Sequence, residues 1–133
     1  MGNNSDLVFP PAALRAQAER GSARLYTGRV ESGFPDRITP DLAQFIERLD
    51  TAFLATVSEA GAPYIQHRGG PRGFIKIIDD QTLGFADYRG NRQYITISNI
   101  ETNDRAFLFL LDAARAPGSK YGAGCARSKA TRH

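Results

Sequence analysis

The chain reads as a small, mainly β protein, an antiparallel barrel or sandwich of short strands with flanking helices. Three observations lead there. From Phe53 the apolar pattern takes on a period of two and recurs in short runs as far as Leu111. Turn-forming clusters separate those runs: Glu59-Ala-Gly-Ala62, Gly69-Gly70-Pro71 and Asp79-Asp80-Gln81. The length of 133 residues suits one domain able to bury a core of its own.

Taken in order, residues 1–9 read as frayed, and Pro10-Pro11 opens an alanine-rich helix over Ala12–Arg20 that Gly21 ends. Residues 21–37 read as loop. Thr39-Pro40-Asp41 is a helix start, with a capping hydroxyl, proline at the first helical position and an acid in the first turn. Leu42, Phe45, Ile46 and Leu49 follow as one apolar stripe. Phe53–Ser58 and Pro63–His67 form a hairpin, and Phe74–Ile78 and Thr82–Ala86 a second strand pair. Residues 92–100 fit either a strand, by the propensity of Ile95-Thr96-Ile97, or a helix, by the spacing of Tyr94, Ile97 and Ile100. Arg105–Leu111 is apolar enough to be a strand buried on both faces.

The net charge of +3 is unevenly placed. Residues 113–133 carry five of the 17 basic residues (Arg115, Lys120, Arg127, Lys129, Arg132) and none of the 14 acids. That leaves 12 basic against 14 acidic residues for 1–112, a net of −2. The basicity belongs to the tail, which weakens any nucleic-acid reading based on overall charge. The tail follows neither apolar period and reads as disordered. No apolar run approaches the roughly 18 residues that span a bilayer, and the N-terminus has no basic-then-apolar leader, so the chain reads as cytoplasmic. Cys125 is the single cysteine, so no internal disulfide forms. No P-loop, nucleophile elbow or metal-ligand spacing is present.

Chemistry concentrates between Gln66 and Arg92. Arg89 and Arg92, with Gly90 and Asn91 between them, suit a phosphate: guanidinium forks onto two oxygens, and glycine lets the backbone come close. A helix starting after them would add free N–H groups and a favourable dipole. The competing reading is a solvated turn with two surface arginines. His67 is a candidate catalytic residue, able to stack on a ligand or carry a proton, or simply a hydrogen-bonded strand-end side chain. Arg68 and Arg72 flank the glycines and add positive charge; Lys76 faces either water or a ligand. Asp87 can serve simply to initiate its turn.

At these residues the chain resembles the pyridoxamine 5′-phosphate oxidase-like, FMN-binding split-barrel family. The resemblance runs over about residues 34–112 and is densest in Phe34-Pro35-Asp36, Phe53-Leu-Ala-Thr-Val57, Tyr64-Ile-Gln-His-Arg-Gly-Gly-Pro71, Gly73-Phe-Ile-Lys76 and Asp87-Tyr-Arg-Gly-Asn-Arg-Gln-Tyr94. It implies a split β-barrel of antiparallel Greek-key type, a homodimer, and FMN in a cleft shared by the subunits. Gly73, Phe74, Ile75 and Lys76 match the strand along the flavin ring, and Ala86 and Asp87 the cofactor-facing end of the next. Arg92 and Gln93 match the pair that holds the phosphate, with Arg89 and Asn91 beside it and Gln66, His67, Arg68 and Arg72 nearby. The family's pattern also makes residues 92–100 a helix aimed at the phosphate.

Two departures stand out. The oxidase's own substrate-phosphate residues have no counterpart, so pyridoxamine phosphate oxidation is not implied. Where the family continues into a strand with a Leu-Lys-Ile-Trp-Gly-like string, this chain has Gly118-Ser-Lys-Tyr-Gly-Ala123. The codons GGC TCA AAA TAT GGG GCC encode the latter, and the frame one base earlier reads CTC AAA ATA TGG GGC, or Leu-Lys-Ile-Trp-Gly. The sequence thus suggests a helical extension over 1–40, a split barrel over 41–112 and a truncated or frameshifted end from about 113. The expected function is FMN binding with flavin-dependent oxidoreduction of an unidentified small molecule. The alternatives are a non-catalytic flavin carrier or sensor, or an inactive remnant.

Overall fold

Backbone groups at helix ends need partners, and the N-terminal segments supply them locally. In the computed structural model, which describes residues 5–112 and 122–127, the chain divides into two units, 1–38 and 39–133. The first holds α1 (Ser5–Val8), α2 (Pro11–Glu19), a 3₁₀ turn (Ala23–Leu25) and α3 (Thr27–Ser32). Pro11 opens α2, and Gly21, at φ +73°, closes it: the Gly21 and Ser22 N–H groups donate to Ala18 and Gln17 at 3.2 and 2.9 Å.

Two expectations change here. Residues 5–8 are helical rather than frayed, and the stretch expected as loop contains α3. The reason lies in the aromatics. Phe9 lies against Tyr26 and Phe34, with ring centroids 5.3 and 5.6 Å apart, and Arg29 sits over the Phe34 ring. These contacts join residues far apart in a stretch whose composition, read locally, signals only loop.

The second unit begins with α4 (Pro40–Ile46), capped by Thr39, whose Oγ1 accepts from the Leu42 N–H at 3.3 Å. Ile46 and Leu49 of its stripe are buried, and Leu42 and Phe45 are half-buried. β1 (Thr51–Val57) and β2 (Pro63–Gly69) form the expected hairpin, β3 (Lys76–Asp79) and β4 (Thr82–Gly84) a separate pair. α5 (Ile95–Thr102) resolves the ambiguous stretch as helix, and β5 (Arg105–Leu110) returns beside β1 as in a Greek key. The backbone of β6 (Gly122–Arg127) pairs antiparallel with β5. The larger sheet has the order β2-β1-β5-β6, and no pairing among the described residues closes a ring with β3-β4. This is a mainly antiparallel β fold with flanking helices, consistent with a split barrel.

The disordered tail expected from 113 onward falls largely on residues 113–121 and 128–133, outside the described residues. Gly122–Arg127 is strand, which its small, aperiodic residues give no sign of. A ladder needs backbone N–H and C=O groups, and the β5 edge offers them whatever the side chains.

The core is set by register. Ala52, Leu54 and Thr56 of β1 are buried and pair directly with Leu110, Leu108 and Ala106 of β5, also buried. β5 was expected to be buried on both faces but is buried on one, since Phe107 is 39% exposed and Arg105 is exposed. Its outward aromatics make a half-exposed strand look fully apolar.

Two polar residues in this core satisfy each other: Asn99 Nδ2 donates to Thr56 Oγ1 at 2.9 Å, tying α5 to β1. Thr56→Val strands the buried amide and lowers stability by about 1–3 kcal/mol, while Thr56→Val with Asn99→Leu recovers part of the loss; urea denaturation measures both. At the β3-β4 turn, the Gln81 N–H donates to Asp79 Oδ1 at 2.8 Å and, with Thr82, holds the Asp79 carboxyl below the ordinary carboxylate range. A carboxylate depressed in the folded state adds stability above its unfolded value, and that stability is lost as pH falls through the folded one. The stability gap between the wild type and Asp79→Asn is therefore present near neutral pH and closes on acidification, as denaturation midpoints taken across that range will show.

Candidate functional site

Strand alternation decides which β2 residues reach the site. Tyr64, Gln66 and Arg68 pair with Thr56, Leu54 and Ala52 and share the core-side face of the sheet. Ile65 and His67 pair with Ala55 and Phe53 and share the opposite one. A cleft opens along the first face, walled by Tyr64, Gln66 and Arg68, by the 87–94 connection, and by Ile95, Thr96 and Ile97 at the start of α5.

Two side-chain bonds fix this wall. Thr96 Oγ1 donates to Gln66 Oε1 at 2.7 Å. Arg68 Nη1 donates to Asp87 Oδ1 at 2.6 Å, and the Arg68 guanidinium lies over the Phe85 ring, 5.7 Å from its centroid. The Arg68 side chain is only 15% exposed against 46% for Asp87, and its Nε is buried without a partner.

The turn between these anchors has an unusual backbone. φ is positive at Gly90 (46°), Arg92 (61°) and Tyr94 (54°), but not at Asn91 or Gln93 between them. Arg92 and Tyr94 thus stand in the left-handed region that side-chain-bearing residues seldom enter. The turn also ties itself together, with Arg92 N–H donating to Arg89 O at 3.2 Å and Gln93 N–H to Asn91 Oδ1 at 3.2 Å. Tyr94 then serves as the N-cap of α5 without a side-chain cap bond. Arg89 and Arg92 are exposed, and neither has an acidic partner among the described residues.

Of the residues singled out in the sequence, Gln66, Arg68, Asp87, Arg89, Asn91, Arg92 and Gln93 line the cleft. His67, Arg72, Gly73, Phe74, Ile75, Lys76 and Ala86 do not. His67 faces the other side of β2, where Nε2 shares a 2.5 Å hydrogen bond with Thr51 Oγ1 and the ring lies 5.4 Å from that of Phe53. Ile75 is buried in the core, and Arg72 and Lys76 are exposed.

The glycines beside them have a local purpose. A Cβ on Gly70 would lie 2.7 Å from Phe74 Cβ, and Gly73, at φ +74°, donates its N–H to Leu49 O at 3.0 Å. They let the 70–74 loop close tightly on its own chain. Tyr64, Tyr88, Tyr94 and Thr96 line the cleft although the sequence reading did not select them. Period-two counting back from Gln66 would have found Tyr64.

Among the described residues no group of His, Cys, Asp and Glu could hold a metal ion, and no helix is long and apolar enough to cross a membrane.

No curated protein sequence matches the chain. A crystal structure of a tagged histidine-to-alanine variant of HupZ from Group A Streptococcus is 26% identical, over 59% of this chain and 59% of its own, with a TM-score of 0.46. The chain thus spans less than two-thirds of that protein. The pyridoxamine 5′-phosphate oxidase family model matches residues 38–129, which take in every strand and the whole cleft. On a match of that extent, this chain belongs to the pyridoxamine 5′-phosphate oxidase family.

Proposed function

We propose that the cleft binds the phosphate of FMN and that the protein is a flavin-dependent oxidoreductase acting on a small molecule, as a homodimer. The observation that carries this reading is the 89–94 turn, where two exposed arginines, without acidic partners among the described residues, stand at the start of a helix. That donor set suits a phosphate dianion, and family membership favours a flavin mononucleotide as its bearer.

The fit is good at the phosphate end. Arg89 and Arg92 would each fork onto phosphate oxygens, Asn91 and Gln93 offer amides, and the first turn of α5 brings its dipole to the same place. Gly73–Lys76, matched by the resemblance to the flavin ring, stands outside the cleft of the single chain. The reading therefore assigns this chain's cleft to the phosphate and leaves the ring to a surface that a second subunit would complete. When bound, FMN supplies hydride acceptance and return at its N5. The protein's own residues bind and orient it.

A second reading, a flavin carrier without turnover, is favoured by the position of His67. The candidate proton carrier lies across β2 from the cleft.

Purified protein should take up FMN and show a flavin absorbance band. Arg92→Ala and Arg89→Ala should each weaken FMN by on the order of tenfold or more, since each removes a charge-assisted pair. Riboflavin, which has no phosphate, should bind the variants and the wild type alike. A folded protein that ignores FMN, or arginine variants that lose riboflavin equally, would sink the phosphate assignment. His67→Ala should leave FMN affinity unchanged. Rapid reduction of the bound flavin by a nicotinamide donor favours the oxidoreductase; flavin that the donor cannot reduce favours the carrier.

A further inference from the structure

We propose that Asp87 sets the charge of the cleft by holding Arg68, so that the site selects a phosphate monoester over a diphosphate. The inference rests on the phosphate half of the reading above and not on the flavin.

The cleft lining carries three cations, Arg68, Arg89 and Arg92, and one anion, Asp87. Its net charge of +2 balances the dianion of a phosphate monoester at neutral pH. The three arginines are not equivalent. Arg89 and Arg92 are exposed, stand in the turn before α5 and have no acidic partner among the described residues. Arg68 is largely buried, with its guanidinium over the Phe85 ring, one nitrogen bonded to Asp87 and Nε without a partner. A guanidinium so poorly hydrated needs a counter-charge, and Asp87 provides it.

The pair also spans the elements that form the site. Arg68 stands on β2, and Asp87 stands two residues before Arg89. Asp87 thus does two things at once. It keeps Arg68 from acting as a third free cation, and it places a carboxylate on the cleft wall, where a further negative group on the ligand would meet it. A ligand with one phosphate meets two unpaired arginines and balanced charge. A ligand with two phosphates brings charge that nothing free in the cleft can match.

The test uses inorganic phosphate and pyrophosphate, neither of which contains a flavin, titrated into the full chain in a phosphate-free buffer by calorimetry. The wild type should bind both measurably and phosphate the more tightly; a wild type that prefers pyrophosphate overturns the proposal. Asp87→Asn raises the cleft to +3 and should improve pyrophosphate relative to phosphate on the order of three- to tenfold, a gain that shrinks as salt rises. Arg68→Met lowers it to +1 and should shift the ratio the other way. The double variant returns the charge to +2 and should restore the wild-type ratio, the signature of a coupled pair.

An unchanged ratio in Asp87→Asn, a double variant that keeps the single variant's ratio, or no binding of either anion by the wild type overturns the proposal. Should Asp87→Asn fail to fold by circular dichroism, the comparison of Arg68→Met with the wild type decides. The flavin reading is judged separately. Wild-type protein that discriminates the two anions as expected but does not bind FMN refutes the flavin and leaves the role of Asp87 standing. FMN binding with an unshifted anion ratio does the reverse.

Discussion

Two side chains on one face of β2 hold both ends of the segment that forms the cleft. Arg68 bonds Asp87 before the 89–94 turn, and Gln66 bonds Thr96 after it. Both depend on strand register. β1 pairs with β2 so that Leu54 meets Gln66 and Ala52 meets Arg68. A slip of one residue would send both polar side chains to the opposite face and bring His67 and Ile65 to the core side. The alternation of buried Ala52, Leu54 and Thr56 resists that slip, because exposing them would cost their burial. The hydrophobic pattern of β1 therefore positions the polar residues of a neighbouring strand.

The turn itself is held open against its own preferences. Arg92 and Tyr94 adopt left-handed backbone that side-chain-bearing residues seldom enter, and only Gly90 does so freely. Such conformations persist where the surroundings over-determine them. Here the anchors are the two β2 bonds on either side and, further on, Asn99 bonded to Thr56 inside the core. α5 is tied to the sheet through Thr96 and Asn99, two buried polar residues, as well as through apolar contact. A helix that only buried an apolar stripe could slide by a turn; one that must satisfy two specific partners cannot do so without stranding them.

Much of this was legible in the chain, and the failures have common causes. Strands β1 to β4 followed from period-two runs broken by glycine, proline and aspartate, and α4 from its Thr39-Pro40-Asp41 start. The Arg89–Gln93 part of the cleft wall was legible because it is local: the residues that line it are adjacent in sequence. Residues whose role depends on a partner elsewhere were harder. His67 and Arg68 are neighbours in sequence, and nothing in their immediate context tells which faces the cleft until the core side of β1 is assigned. Thr96 and Asn99 look like weak helix formers and prove to be anchors. Gly69-Gly70-Pro71 was legible as a break between strands, but not that a side chain on Gly70 would run into Phe74 or that the Gly73 N–H bonds Leu49 O. β6 had no side-chain pattern to announce it.

The electrostatics of the cleft are local. Residues 39–133, the unit that holds the cleft, carry 12 basic and 10 acidic side chains; the cleft lining takes three of the basic and one of the acidic residues, so the rest of that unit is balanced. At physiological salt, charges more than about 8 Å apart are largely screened. The overall pI of 9.3 therefore says little about what the cleft prefers. On the proposed reading, recognition comes from contact geometry: two guanidinium forks and one carboxylate at the edge. A site built this way tolerates the loss of remote charge and is sensitive to small changes among Arg68, Asp87, Arg89 and Arg92. Each charge on an anion placed there would be judged by its nearest neighbour in the wall, so the balance among these four side chains would set how much charge the cleft accepts.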